Sequence, residues 1–375
     1  MPGKKLKVTI ISRESNSKTI DVRMLEDELV RRGARVTTLC KLLTKDKSLK
    51  SLGYIGHVIR QEAAILSSDV VVLDTYCIPV SMITHRKSTK VVQMWHALAA
   101  IKKFGWQTVG MKDGSSRRTA ELMRMHEGYD YVIAASDITA EHFCEGFRVG
   151  RDKIVKAGLP RIDYIKSVTS GSRRDDVRRK LFDRYPQLAG SDRQTILYVP
   201  TFRRNADVRP ATESLIEAVD KEKYNVVIKL HPLYRGSFAS GTDETHRKNG
   251  TAEKGTVIFD DEFISFDWLA AADFVISDYS SLVVEDTVAD KPLFLYVHDL
   301  DEYRSSTGLN LDFDAEPIAP YVFKDPAELA AAIEEPYDMA KLRAFRGRYI
   351  DIDIGPEDEE GWCTVGLADF IESLA

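Results

Sequence analysis

Short, uninterrupted β-branched runs recur along this chain, each followed by a stretch with apolar residues near helical spacing. The runs at 7–12, 35–40, 69–74, 90–95, 129–136 and 153–157 occupy the first half, and those at 195–200, 225–230, 256–259, 273–277 and 292–297 the second. A strand wetted on one side alternates apolar and polar residues, whereas a continuous apolar strand is covered on both faces. With helical stretches between them, at 20–32, 212–220, 265–272 and 281–289 among others, these runs predict parallel sheets sandwiched by helices, an α/β fold class. Gly33 stands where the first helix needs its C-terminal cap.

At about 150 residues per domain, a chain of 375 residues accommodates two. The polar stretch 167–174 (SVTSGSRR) reads as the linker, giving doubly wound domains over 1–168 and 175–350. An acidic loop at 351–361 precedes a last helix over 362–375, which in two-domain folds of this kind often packs back on the first domain.

Composition removes several classes. Hydrophobic residues make up 43% and charged residues 30%, enough apolar material for sizeable cores, so wholesale disorder is excluded. The 53 basic against 58 acidic residues, a net of −5, lack the basic excess of a dedicated nucleic-acid binder. Apolar runs such as 70–73 and 294–297 are of strand length, far short of the ~18 residues of a membrane span. The N-terminus has no apolar segment long enough for a signal peptide. Cys40, Cys77, Cys144 and Cys363 are scattered without a CxxC pair, as in reduced compartments. A soluble, cytoplasmic protein is expected. Ser12-Arg13-Glu14-Ser15-Asn16 replaces a GxGxxG after the first strand, which disfavours a dinucleotide-dependent oxidoreductase.

Chemistry-bearing residues gather where strands end. His96 follows the run at 90–95 and can take a proton from a hydroxyl near neutral pH; the alternative is a packing histidine beside Trp95. His231 follows Lys229-Leu230, with Pro232 stopping the strand. After 273–277 come Asp278, Tyr279, Ser280 and Ser281, a strand-to-helix turn whose free amides suit an anion. Glu285 falls one turn further, where a carboxylate suits ribose hydroxyls; the alternative is a plain capping turn with Glu285 exposed. Thr201 and Arg203 end another strand, and arginine matches phosphate bidentately. Gly158-Leu159-Pro160-Arg161-Ile162-Asp163 is a further turn, which also reads as a hinge with Arg161 paired to Asp163.

Taken in order, WHA…KKFG, GLPRID, YVPTFRR, KLHP and SDYSSLVVE, spanning roughly residues 90 to 310, resemble the CDP-glycerol glycerophosphotransferase family of teichoic-acid and capsule assembly. The resemblance implies a GT-B type fold, two facing Rossmann-like domains with the donor in the second. It also implies transfer of glycerol or ribitol phosphate from CDP-glycerol or CDP-ribitol to a lipid-linked or polymeric acceptor, with release of CMP. By position, His96 matches the family's base and His231 the histidine beside the donor pyrophosphate. Thr201 and Arg203 match the donor-site turn. Ser277, Asp278, Ser280 and Ser281 match the nucleotide-phosphate turn, and Glu285 stands where many members have Asp. Lys229, Lys102, Arg161 and Asp163 complete the expected cleft. Ala97 and Leu98-Ala99 depart from the usual Gly and Thr-Pro, and Thr307 from an arginine, so the alditol and acceptor stay open.

The expected mechanism is in-line displacement at the β-phosphorus, with no obligatory metal and magnesium left open as a bridge between donor phosphates. A lipid-linked acceptor implies a peripheral position on the inner face of the cell membrane. Lys102, Lys103, Arg117 and Arg118 with Phe104 and Trp106 form one candidate patch for anionic head groups, or else a solvated face. Two rival readings are a GT-B glycosyltransferase or epimerase using a UDP-sugar, and a non-catalytic binding module.

Overall fold

In the computed structural model, residues 5–42, 50–112, 114–201, 203, 207–230, 256–356 and 359–375 are described. The chain divides into two compact units. The first comprises Met1–Tyr164, Ser306–Asn310 and Arg348–Ala375, and the second Ile165–Ser305 and Leu311–Gly347.

The first unit holds six parallel strands: β1 (Lys7–Ser12), β2 (Arg35–Cys40), β3 (Val70–Leu73), β4 (Lys90–Gln93), β5 (Tyr131–Ala134) and β6 (Ile154–Lys156). Their order is β2-β1-β3-β4-β5-β6. Every residue of β3 is fully buried, which is why that run carries no polar alternation. Thr19 caps the helix Ile20–Arg31, its hydroxyl accepting from the Val22 amide at 3.4 Å. Val22, Leu25 and Leu29 line that helix's buried face. Gly33 at φ +90° lets the chain turn out of the helix into β2.

The last helix, Trp362–Ser373, packs on this first helix within the same unit. Asp163 holds its start, accepting from the amides of Cys363 (3.1 Å) and Thr364 (2.7 Å) and from the Thr364 hydroxyl (2.6 Å). Arg32 reaches Asp369 and Glu372 near its end.

The second unit repeats the plan with β7 (Gln194–Tyr198), β8 (Tyr224–Ile228), β9 (Val257–Phe259), β10 (Phe274–Ser277), β11 (Leu293–Tyr296) and β12 (Val322–Phe323). All pair in parallel, in the order β12-β11-β10-β7-β8-β9. Ile196, Tyr198, Val226, Ile228, Ile276 and Phe294 build its core against Leu215 and Leu329 from helices Arg209–Ala218 and Pro326–Ile333.

Three elements differ from the sequence expectation. The strand expected through residue 95 ends at Gln93, because Trp95 adopts φ +60° and leaves the sheet. The helix expected over 281–289 is one α-turn, Leu282–Glu285, continuing as a 3₁₀ turn Asp286–Ala289. Of the segment expected as linker, 167–169 belong to the helix Pro160–Thr169, and the next helix begins at Arg174.

In open parallel sheets, ligands bind outside the carboxyl ends of the strands where the strand order reverses direction. The order puts that reversal between β1 and β3 in the first unit and between β7 and β10 in the second.

Candidate active site

The carboxyl edge of the first sheet presents Glu14 after β1, Asp74 after β3 and His96 after β4. The loop that carries His96 is built from within. The buried Gln93 side chain donates to the Thr75 carbonyl at 3.1 Å and accepts the Trp95 amide at 2.9 Å. This clamp supports Trp95 in the left-handed region, a conformation that strains a bulky residue. The Trp95 ring packs among Phe104, His126 and Phe147, and the His96 imidazole lies against the Trp95 ring itself at a centroid distance of 4.2 Å.

His96 Nδ1 lies 3.1 Å from the backbone carbonyl oxygen of Asp74. A carbonyl only accepts, so Nδ1 carries the proton and the neutral ring keeps its lone pair on Nε2, the tautomer a general base needs. The Glu14 carboxylate stands 3.7 Å from the same Nδ1. Side-chain exposures of 36% for His96 and 40% for Glu14 keep both open to a substrate. The Asp74 side chain is buried, and desolvation pushes its carboxyl up to about 6, opposed by the Ser12 hydroxyl and the His96 charge. Ala97, Leu98 and Ala99, the positions that depart from the family pattern, are buried and pack within the unit.

At the second reversal, Thr201 follows β7 and Asp278 follows β10. The Asp278 carboxylate accepts from the Thr201 amide (3.0 Å) and hydroxyl (2.5 Å), the Tyr279 amide (2.6 Å) and Arg203 Nη1 (2.8 Å). The other edge of the Arg203 guanidinium meets Asp299 through Nε (2.8 Å) and Nη2 (3.0 Å), and the Tyr279 hydroxyl also donates to Asp299 at 3.0 Å. Tyr279 and Tyr303 stack on one another with the guanidinium over both. The Asp299 carboxyl is held below the usual carboxylate range by the Arg203 hydrogen bond and charge, which outweigh burial.

This network involves several of the residues expected at the donor site. Arg203, expected to contact phosphate, is 7% exposed and shared between two carboxylates. Ser277 and Asp278 are sealed at 0% and 1%, with Ser277 Oγ donating to the Val199 carbonyl at 3.1 Å. Thr201 is similarly committed. Lys229 is also engaged within its unit: Nζ pairs with the Asp260 carboxylate at 3.0 Å. Asp260 further accepts from the Tyr185 hydroxyl (2.6 Å) and Trp268 Nε1 (2.9 Å). Glu285, expected to meet ribose, is fully buried beside Asp286 because the short turn rolls that face inward with Val283 and Val284. Burial, and then the Glu285 charge, raise the Asp286 carboxyl well above its ordinary range. Ser280 and Ser281 alone of the expected turn keep partial exposure. The Ser280 hydroxyl accepts the Leu282 amide at 3.3 Å, while Ser281 makes no capping bond.

Among the remaining candidates, Arg161 pairs with Asp21 of the first helix, through the backbone amide and Nε at 2.8 Å each, and not with Asp163. Asp163 is consumed in holding the last helix. Lys102 forms a backbone bridge with Leu309, and Lys103 donates its amide to the Gly308 carbonyl at 3.1 Å. The aromatic part of the expected head-group patch turns inward: Phe104 sits in the Trp95 cluster, and Trp106 donates to the Met125 carbonyl under the Arg148 guanidinium. Arg117 and Arg118 are exposed, the former paired with Glu121. His231 lies outside the described residues. Among the described residues, no three His, Cys, Asp or Glu side chains gather as a metal cage.

The sequence reading overlooked Glu14, Asp74, Tyr279 and Asp299. Glu14 and Asp74 carried the same signal that selected His96, a polar residue at the carboxyl end of a buried parallel strand.

Two six-stranded parallel units with polar clusters at both reversals define an α/β fold of GT-B type. The wall teichoic acid polymerase TagF superposes with a TM-score of 0.71 at 16% identity, over 98% of this chain and 88% of that one. A UDP-GlcNAc 2-epimerase from Neisseria meningitidis gives 0.61 at 13%, over 98% of this chain and 100% of that one. Residues 2–359 match the family model CDP-Glycerol:Poly(glycerophosphate) glycerophosphotransferase, and the chain belongs to that family. Its relatives include the teichoic acid ribitol-phosphate primase of Bacillus spizizenii, 28% identical over 91% of this chain and 84% of the relative. The teichoic acid glycerol-phosphate primase of Bacillus subtilis is 27% identical, over 85% and 77%.

Proposed function

We propose that this protein transfers an alditol phosphate from CDP-glycerol or CDP-ribitol to a hydroxyl of a lipid-linked or polymeric acceptor in the assembly of teichoic acid or a related capsule polymer. His96 is the general base. The observation that carries the reading is the His96 ring at the sheet's carboxyl edge, its Nδ1 against the Asp74 carbonyl and its Nε2 lone pair available. The acceptor O–H bond breaks as Nε2 takes the proton, the new P–O bond forms at the β-phosphorus, and CMP departs with the electrons of the broken bond. Ser280 and Ser281, with His231, are the donor-phosphate candidates. Family membership supports the reaction class, and both a ribitol-phosphate and a glycerol-phosphate primase among the relatives support either alditol.

A lipid-linked acceptor requires contact with the inner face of the cytoplasmic membrane. No helix among the described residues is long and apolar enough to cross a bilayer. The helix Lys50–Ser67 instead exposes Ile55 (57%), Ile59 (65%) and Leu66 (50%), whose spacing places them on one face. We assign membrane contact to this face in place of the patch of Lys102, Lys103, Arg117 and Arg118 with Phe104 and Trp106.

The direct test supplies CDP-glycerol and CDP-ribitol separately with lipid-linked acceptors and follows CMP. One of the two should be consumed only when acceptor is present. Stabilisation by UDP but not CDP in a thermal-shift assay would instead favour a UDP-sugar enzyme. Vesicle sedimentation should be weakened by Ile59→Glu, and unchanged binding would remove the assigned face.

A further inference from the structure

We propose that Glu14 is the charge partner of His96, stabilising the imidazolium formed when His96 takes the acceptor's proton. The inference rests on the reading of His96 as the base and extends it to a residue outside the family motifs quoted above. Glu14 leaves β1 and His96 leaves β4, with Asp74 ending β3 between them, so all three edge the same sheet at its reversal. Two acceptors address Nδ1 of one ring: the Asp74 carbonyl at 3.1 Å and the Glu14 carboxylate at 3.7 Å. They have different duties. The carbonyl fixes the tautomer and carries no net charge. The carboxylate gains attraction only when the ring becomes positive, so its contribution grows from the ground state to the transition state, the condition for raising turnover.

Two other charged groups lie along the same edge among the described residues. The Asp74 carboxyl is buried beneath it. Arg13 is turned away, donating to the Tyr76 carbonyl and lying over the Tyr76 ring. That leaves Glu14 as the solvent-accessible anion facing Nδ1 among the described residues. No proton needs to pass to Glu14: the O–H proton stays on Nε2. Glu14 is thus a positioning residue, acting through His96.

The test compares Glu14→Gln, Glu14→Asp and His96→Asn by CMP release from CDP-glycerol or CDP-ribitol, whichever is turned over. Glu14→Gln should lower kcat about tenfold with KM for the donor nearly unchanged. Removing an anion makes the ring harder to protonate, so the acid limb of the pH–kcat profile should move down by about half a pH unit. Glu14→Asp should recover part of the loss. A Glu14→Gln enzyme with wild-type kcat and an unmoved acid limb, while His96→Asn is silent, overturns the role of Glu14 alone. Equal losses of kcat in Gln and Asp variants with no movement of the limb also overturn it. A fully active His96→Asn overturns the base itself, and Glu14's role with it.

Discussion

His96 and Asp74 are joined by a side-chain-to-main-chain bond, Nδ1 to carbonyl oxygen at 3.1 Å, and not by their side chains. The orientation of the ring therefore depends on where β3 ends, and a substitution that alters the Asp74 side chain leaves that acceptor in place.

His96→Ala removes the proposed base. Turnover should fall by roughly 10²–10⁴ while donor binding is retained, because base catalysis acts on the transition state. Single-turnover kinetics alongside calorimetric titration with the CDP-alditol measure the two separately, and near-normal turnover would refute the assignment.

Asp74 governs stability against pH. Its carboxyl is raised to about 6 in the folded state from an ordinary value near 4. Between those values the folded chain holds a proton that the unfolded chain has released, so the contribution of Asp74 to stability is greatest below about pH 4 and falls as pH rises towards 6. The loss is on the order of 3 kcal/mol. Asp74→Asn should flatten this slope and leave the protein more stable at pH 7, as read by denaturant melts from pH 4 to 7. An unchanged slope would mean that the buried carboxyl is not its source.

Arg203 should tolerate no conservative change. Lysine keeps the charge but cannot bridge Asp278 and Asp299 together, leaving a buried carboxylate short of its partner. A loss of roughly 2–4 kcal/mol is expected for Arg203→Lys, with weaker CDP binding because the Ser280–Ser281 turn loses its support. Thermal unfolding together with CDP titration checks both.

Much of the fold was legible because central strands such as β3 and β11 are unbroken apolar runs covered on both faces. β12 was missed, since two residues, Val322 and Phe323, make no periodicity. Trp95 was counted in β4 because its chemistry suits a strand, while the Gln93 clamp that bends it is a tertiary contact. The site was half legible for a related reason. Arg203 reads as a phosphate ligand in sequence, and its partner Asp299 lies 96 residues later. Lys229 likewise finds Asp260 only through the pairing of β8 and β9. A sequence displays the charge a residue carries and conceals the partner that neutralises it.

Asp163→Ala should release the last helix. Three hydrogen bonds to one buried carboxylate are lost, which costs roughly 2–3 kcal/mol. Limited proteolysis should then cut within 351–375 before the rest of the chain, and equal resistance of variant and wild type would count against this anchor.

The same anchor bears on the order of biogenesis. Asp163 leaves the ribosome some two hundred residues ahead of the amides it must receive, so the amino-terminal unit stays open on one flank while the whole of the second sheet is translated. The later-made unit can mature first, and the one that carries His96 closes only when the helix Trp362–Ser373 arrives.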